Sequence, residues 1–116
     1  MNLLHVAARL ANDLWGKHRQ GYYLAAIGVR RDGALVHATN KAQLANGFVP
    51  VPSTHAEARL CRKLDAGAEV YVARVTRDGL WAMSRPCEGC EAALRARRVR
   101  RVYYTIGPGE YGVLHP

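Results

Sequence analysis

The chain has 116 residues and a formal net charge of +8, and this excess of basic residues favours an anionic partner such as a nucleotide phosphate or a polynucleotide. Its composition, 49% hydrophobic and 22% charged, is ordinary for a soluble globular protein, and no apolar run approaches the ~20 residues that a membrane helix needs. We therefore expect one domain over residues 1–116, and a cytoplasmic location because the N-terminus lacks the basic start and apolar stretch of a signal peptide.

The beginning of the chain predicts one helix followed by a β-hairpin. Apolar residues spaced at three and four predict a helix over residues 2–15. The nearly continuous apolar run over residues 22–29 predicts a buried strand. Asp32-Gly33 then predicts a turn into a second strand over residues 34–39.

The middle of the chain predicts a loop and then a second helix. Residues 40–53 contain an Asn-Gly pair and two prolines, which indicate a loop that leads towards a candidate active site. Phe48 in this loop has two interpretations, stacking on a base or burial against the loop's prolines. Thr54 begins the helix, and with Glu57 it also fits a capping box, a purely structural role for that carboxylate.

The remaining elements alternate between strands and a helix. We expect a strand over residues 69–76, a helix that begins at Cys87, and a strand over residues 99–106. Residues 107–109 predict a turn, and residues 111–114 predict a short last strand. This last strand must be antiparallel to the preceding one, because a parallel connection needs a dozen residues or more.

Two short motifs carry the chemistry: His-Ala-Glu at residues 55–57 and Pro-Cys-Glu-Gly-Cys at residues 86–90. One imidazole and two thiolates suit a tetrahedral zinc ion, and three protein ligands leave a fourth position for water. Zinc lowers the pKa of bound water to about 7. A carboxylate two residues after the histidine is suited to carry protons between that water and a substrate.

Together the two motifs resemble the signature of the zinc-dependent cytidine and deoxycytidylate deaminase superfamily. The resemblance runs from the first predicted hairpin to residues 99–104. It implies a three-layer α/β fold with a central mixed sheet of four to five strands, helices on both faces and an antiparallel last strand. It also implies Zn²⁺ as the cofactor, bound by His55, Cys87 and Cys90, with Glu57 as the catalytic proton shuttle.

The resemblance further implies the residues that contact the substrate. Asn40 matches an asparagine that contacts the sugar or the base, and the backbone of Ala56 and the carbonyl of Arg85 would contact the cytosine edge. Two features depart from the free-cytidine deaminases. Their metal motif usually reads Cys-Ala-Glu, where this chain has His-Ala-Glu. They also have an Asn-x-Glu-Asn run near the second strand, which this sequence lacks. In addition, Arg85 is inserted into a Ser-Pro-Cys context typical of polynucleotide deaminases.

Other candidate residues have alternative interpretations. We expect Cys61 to be a small buried core residue, and the alternatives are a fourth ligand or a redox switch. With two cysteines in the metal motif, no disulfide framework is available. Five arginines lie between residues 95 and 101, where they either complement a helix C-terminus in water or contact phosphates.

Three functional hypotheses follow from these observations. The first is a hydrolytic deaminase that converts cytosine to uracil in a free nucleoside or nucleotide, with a deoxycytidylate-like substrate favoured. The alternative is a cytidine deaminase that acts on single-stranded DNA or RNA, and the third is a non-catalytic zinc-stabilised module. Because so compact a chain has few loops to enclose a substrate, we expect a homo-oligomer whose neighbouring subunits complete the pocket.

Overall fold

The computed structural model describes residues 3–12, 23–39, 44–45, 49–50, 60–76 and 78–116. In this part of the chain the two complete helices are α1 (Leu3–Asn12) and α2 (Glu88–Ala96), and residues 60–61 are also helical. The strands are β1 (Tyr23–Val29), β2 (Leu35–Thr39), β3 (Leu44–Ala45), β4 (Val49–Pro50), β5 (Glu69–Val75), β6 (Trp81–Ala82), β7 (Arg101–Gly107) and β8 (Glu110–Leu114).

The central sheet is mixed, with the strand order β2-β1-β5-β7-β8. β5 and β7 are parallel, and the other neighbouring pairs are antiparallel. The short β6 adds a sixth strand, because it pairs with β5 beyond the point where β7 leaves it. The fold class expected from the sequence is confirmed, although the sheet has one short strand more than expected.

Helical residues cover both faces of this sheet and give three layers. α1 packs its alanines against β1 and β5, in a cluster that includes Ile27 and Val75. On the other face, Leu60 and Cys61 pack with Leu94 of α2 against the buried residues of the same sheet. The helix expected over residues 2–15 is confirmed between residues 3 and 12. None of the helices in the described residues is long and apolar enough to cross a membrane.

The prediction of a loop over residues 40–53 is wrong in one respect. Residues 44–45 pair antiparallel with residues 49–50, which gives a two-stranded hairpin separate from the central sheet. Two residues per strand are too few to produce a recognisable alternation of apolar and polar side chains. The sequence signals in this segment therefore missed the short pairing of residues 44–45 with 49–50.

The antiparallel end of the chain is confirmed. Residues 108–109 form the turn between β7 and β8, and Gly109 has the positive φ of 73° that a glycine adopts readily. β7 begins at residue 101 instead of residue 99. The reason is that the backbone N–H of Val99 donates to Leu94 at the end of α2, and that of Arg100 donates to the loop before β5.

Two buried hydroxyls hold β5 and β7 apart at the end of their parallel ladder. The ladder extends to the pair Val72 and Tyr104. At the next position Ser84 replaces β5: its N–H donates to the Thr105 carbonyl over 2.8 Å, and its Oγ accepts from the Thr105 N–H over 2.8 Å. The Ser84 hydroxyl lies 3.0 Å from the Val72 carbonyl, to which it can donate.

The Thr105 hydroxyl completes this network. Its Oγ1 lies 2.7 Å from the Ala82 carbonyl and accepts from the Arg74 N–H over 3.2 Å. Ser84 is 3% exposed and Thr105 is fully buried, so water cannot replace these partners. We call Ser84 and Thr105 the hydroxyl pair. It joins β5, β6 and β7 and fixes the segment that leads into Cys87.

We predict that Thr105→Val destabilises the fold. Valine nearly matches threonine in shape but leaves the Arg74 N–H without its acceptor, which costs about 1–3 kcal/mol for a buried donor. Urea unfolding measures this loss. Thr76→Val is the matched control, because the exposed Thr76 hydroxyl also accepts one backbone bond, from Leu80. An equal loss of unfolding free energy in the two variants would contradict the role given to the hydroxyl pair.

Candidate active site

The two cysteines of the second motif lie at the N-terminal end of α2. Cys87 is the N-cap residue, with an extended backbone, and its carbonyl accepts the first helical bond from Glu91 over 2.8 Å. Cys90 follows within the first turn, and side chains three apart lie on the same face of a helix. The expectation that the helix begins at Cys87 is confirmed, and both sulfurs belong to one helix end.

The burial of the two cysteines differs in a way that suits a ligand site. Cys90 is buried at 4% exposure, whereas Cys87 is exposed. The N-terminal end of a helix carries partial positive charge and therefore favours anionic groups, thiolates among them. The carboxylates Glu88 and Glu91 lie in the same first turn. Two thiolates are the donor type that a soft cation such as Zn²⁺ prefers. Within the described residues, however, no three His, Cys, Asp or Glu side chains are grouped so that they could hold a metal ion.

The fold places this helix end at a characteristic position. α2 begins beyond the C-terminal ends of the parallel strands β5 and β7, where the hydroxyl pair separates them. In open α/β sheets, ligands bind in the crevice beyond the carboxyl ends of strands at such a separation. We call the end of the sheet beyond the C-terminal ends of β5 and β7, where Cys87 and Cys90 lie, the cysteine edge.

Arg85 extends from the segment between the hydroxyl pair and Cys87. Its guanidinium carbon lies 6.0 Å from the ring centroid of Tyr104, near the limit of a cation–π contact. The Tyr104 ring is itself held against Gly112 of β8, where an added Cβ would lie 2.6 Å from the ring. Arg85 is exposed and forms no ion pair with a carboxylate in the described part of the chain. Arg85 is thus a cation supported by Tyr104, two residues before Cys87 in the sequence.

Four of the residues predicted for the site fall outside the described residues. They are the metal ligand His55, the proton shuttle Glu57, and the substrate contacts Asn40 and Ala56, so their roles stay predictions. Cys61 is described, and it is a buried member of the core cluster, as expected for its structural role.

The arginine cluster does not belong to this site. Residues 97–101 follow the C-terminal end of α2 and lead into the start of β7, whereas Cys87 caps the opposite end of that helix. From Arg101 to Thr105, β7 spans about 13 Å at ~3.3 Å per residue. Arg95 pairs with Glu91 one helical turn away, over 3.8 Å. The cluster therefore gives no support to a phosphate bound at the cysteine edge.

A second titratable cluster lies on the face of the sheet that α1 shares. The rings of Tyr71 and Tyr103 stack with centroids 4.7 Å apart, and Arg101 donates to the Tyr103 hydroxyl over 3.3 Å. Burial raises the pKa of Tyr71, the nearby Tyr103 and Glu69 raise it further, and Arg101 opposes them. Tyr104 faces the other side of the sheet and belongs to the core cluster there.

The sequence did not identify Thr105 or Gly112 as residues that shape the site. A threonine inside a predicted strand has high β-propensity and gives no sign that its hydroxyl is buried. A glycine in a strand does indicate close approach of another group, and this signal was available for Gly112. Its partner, the Tyr104 ring, is known only once the register of β7 and β8 is known.

Comparison with known proteins supports the fold. The chain matches no protein-family model and no curated protein sequence. Among solved structures it is similar to a cytidine deaminase from Burkholderia pseudomallei, with a TM-score of 0.62 and 18% sequence identity. The similarity covers 96% of this chain and 91% of that one. The chain therefore has a cytidine-deaminase-like fold.

Proposed function

We propose that the chain is a zinc-dependent hydrolytic deaminase that converts cytosine to uracil in a free nucleoside or nucleotide. The observation that carries this proposal is the position of Cys87 and Cys90. They lie at the start of a helix beyond the separation of two parallel strands, in a cytidine-deaminase-like fold. In the net reaction, water adds to C4 of the base, the bond from C4 to the exocyclic nitrogen breaks, and ammonia leaves.

His55, Cys87 and Cys90 would hold the zinc ion. The buried Cys90 and the exposed Cys87 would supply two of the three donors from one helix end. When bound, zinc would supply a water whose pKa is lowered to about 7. Three protein donors leave room for that water, which distinguishes a catalytic site from a closed structural one.

The protein's own side chains would carry the protons and orient the base. Glu57 would accept a proton from water on its carboxylate and donate it to the base and then to the departing amine. The backbone of Ala56 and the carbonyl of Arg85 would receive the cytosine edge, and Asn40 would hold the sugar. The hydroxyl pair fixes the segment that contains Arg85, so the position of that carbonyl depends on the fold more than on a flexible loop.

The antiparallel β8 favours a small substrate over a polynucleotide. Among the deaminases that this chain resembles, the free-nucleoside branch has an antiparallel last strand and the polynucleotide branch a parallel one. β8 pairs antiparallel with β7 along the whole hairpin. A small substrate also lets the pocket grip the entire molecule, so that binding energy away from C4 lowers the barrier there.

We still favour a monophosphate as the substrate, but the residue that supports this preference is Arg85 and not the arginine cluster after α2. Arg85 precedes Cys87 by two residues and forms no ion pair with a carboxylate of the described residues. Its guanidinium is supported by the Tyr104 ring. A guanidinium is suited to bind phosphate oxygens in pairs. Arg85 is therefore the residue through which a deoxycytidylate-like substrate would be preferred, with neighbouring subunits of a homo-oligomer closing the pocket.

We predict about one zinc ion per chain in freshly purified protein. Cys87→Ser and Cys90→Ser should each lose most of this zinc, because each removes one of three donors. Elemental analysis by mass spectrometry measures the content. Cys61→Ala is the matched control and should retain zinc, since Cys61 is a core residue. Full zinc content in Cys87→Ser, or activity that chelators leave unchanged, would refute the site.

We predict that Glu57→Ala loses turnover but retains zinc. A positioned acid–base group typically contributes about 100- to 10,000-fold, and this carboxylate would serve both the water and the leaving amine, so the loss should reach or exceed that range. Release of ammonia measures turnover. Glu88→Ala is the control, because Glu88 is an exposed carboxylate beside the same cysteines. Loss of zinc in Glu57→Ala would instead identify Glu57 as a ligand.

We predict that free cytosine nucleosides or monophosphates are turned over faster than cytosine within a single-stranded oligonucleotide. Mass change over a panel of these substrates measures the preference. Arg85→Gln should raise KM for monophosphates by about tenfold relative to nucleosides, since a hydrogen bond to a charged group is worth about 1.5–3 kcal/mol. Arg97→Gln, at the opposite end of α2, should leave this ratio unchanged. Faster turnover of oligonucleotides than of all free substrates would contradict the preference.

A further inference from the structure

Among the described residues, basic side chains cluster at the end of the sheet opposite the cysteine edge. The register aligns Val29, Glu69 and Arg101 in one row across β1, β5 and β7. Neighbouring strands lie about 4.8 Å apart, so the loops that leave these three strands at this row are close together. Each of these loops is rich in basic residues.

The first two loops are the turn after β1 and the segment before β5. Arg30 and Arg31 lie in the turn, and Arg62 and Lys63 lie in the segment. The backbone N–H of Arg31 donates to the Asp65 carboxylate over 3.0 Å, which ties the two loops together. Part of this charge is already used: Arg30 contacts carboxylates, and Lys63 donates to a carbonyl of β2 over 2.7 Å. Arg31 and Arg62 form no ion pair in the described residues.

The third loop joins α2 to β7 and contributes four more arginines. Arg101 is paired with Glu69 over 3.9 Å. Arg97, Arg98 and Arg100 are exposed and form no ion pair within the described ranges. The Arg98 carbonyl accepts from the segment before β5 over 2.9 Å, so the second and third loops are also joined.

Five arginines on these three joined loops are therefore exposed and have no carboxylate partner in the described chain. We call them the basic edge: Arg31, Arg62, Arg97, Arg98 and Arg100. The three loops and the first residues of the strands that follow them contain eight basic and three acidic residues, a net charge of +5. Because backbone bonds fix the loops, the charges form a defined surface.

An aromatic strip adjoins the basic edge on the α1 face. Arg101 touches the hydroxyl of Tyr103, whose ring lies 6.5 Å from that of Tyr111 on β8. Tyr111 is 55% exposed, and Val113 beside Tyr103 is 44% exposed. Tyr103 is half-buried and stacked on Tyr71, so the ring that can stack on a base is that of Tyr111. Tyr111 pairs with Thr105, about 13 Å along β7 from Arg101. An exposed aromatic ring on the same sheet as clustered cations suits a single strand of nucleic acid, with phosphates on the cations and a base on the ring.

We propose that the basic edge and Tyr111 bind single-stranded nucleic acid along the α1 face of the sheet, whereas α2 and its cysteines lie on the opposite face. The five cations of the basic edge are arginines, which bind phosphates in pairs and stack on bases better than lysines do. The exposed ring of Tyr111 gives a flat surface for a base, which a lipid headgroup or an acidic peptide would not use. This inference goes beyond the proposed deaminase activity and does not depend on it.

Fluorescence anisotropy of a labelled, cytosine-free single-stranded oligonucleotide tests the proposal without involving deamination. We expect saturable binding that weakens with salt. Arg97→Gln combined with Arg100→Gln should weaken it about tenfold or more and reduce the slope of log K against log salt by about 1.4, at about 0.7 for each lost phosphate contact. Tyr111→Leu should weaken it at least about fivefold, the lower end of one lost stacking contact.

Matched variants and competitors give the outcomes that would overturn the proposal. Arg9→Gln removes a charge on an exposed part of α1 and should leave binding unchanged. A loss in Arg85→Gln as large as that of the Arg97 and Arg100 variant would place the nucleic acid at the cysteine edge. Equal competition by inorganic polyphosphate would show charge alone without base stacking. Tighter binding to vesicles of anionic phospholipid, or to duplex DNA, would likewise refute a single-strand site.

Discussion

The hydrogen bonds between Ser84 and Thr105 are the constraint on which the described site depends. Two parallel strands normally continue side by side, but here the backbone of residue 84 takes the position that β5 would occupy. Because both hydroxyls are buried and hydrogen-bonded, they fix the direction in which the chain continues after residue 84. That path leads through Arg85 to Cys87 and starts α2 at the opened end of the sheet. A site of this kind needs rigid support, since small displacements of a ligand or a carbonyl cost activity.

The two ends of the sheet carry different kinds of chemistry. At the cysteine edge, a helix start, two sulfurs and one supported arginine meet beyond the carboxyl ends of β5 and β7. At the other edge, three joined loops present arginines with few carboxylates. This separation would reconcile a strongly basic chain with the small substrate that we propose for the cysteine edge. Net charge alone did not distinguish phosphate recognition at the site from a second surface, because it does not say where the charges lie.

Much of the fold could be predicted from local patterns. The spacing of apolar residues gave α1, the Asp32-Gly33 pair gave the first turn, and the short remainder after β7 required an antiparallel end. The N-terminal end of α2 followed from its acidic first turn. What the patterns missed depends on register between distant segments: the bonds of Thr105, and the pairing of residues 44–45 with 49–50. The arginine cluster was expected at a helix C-terminus, and the structure has it there, after α2. Local patterns left open whether these arginines contact phosphates.

The zinc K-edge X-ray absorption spectrum of the purified protein is the sharpest test of metal binding by Cys87 and Cys90, because it counts the sulfur atoms bound to the metal. We predict two sulfur ligands, one imidazole and one further light atom, with one sulfur lost in Cys90→Ser. Those two sulfurs would come from the helix end that the hydroxyl pair positions. A spectrum with three sulfurs would bring Cys61 into the site, and one with only nitrogen and oxygen ligands would contradict the role given to Cys87 and Cys90.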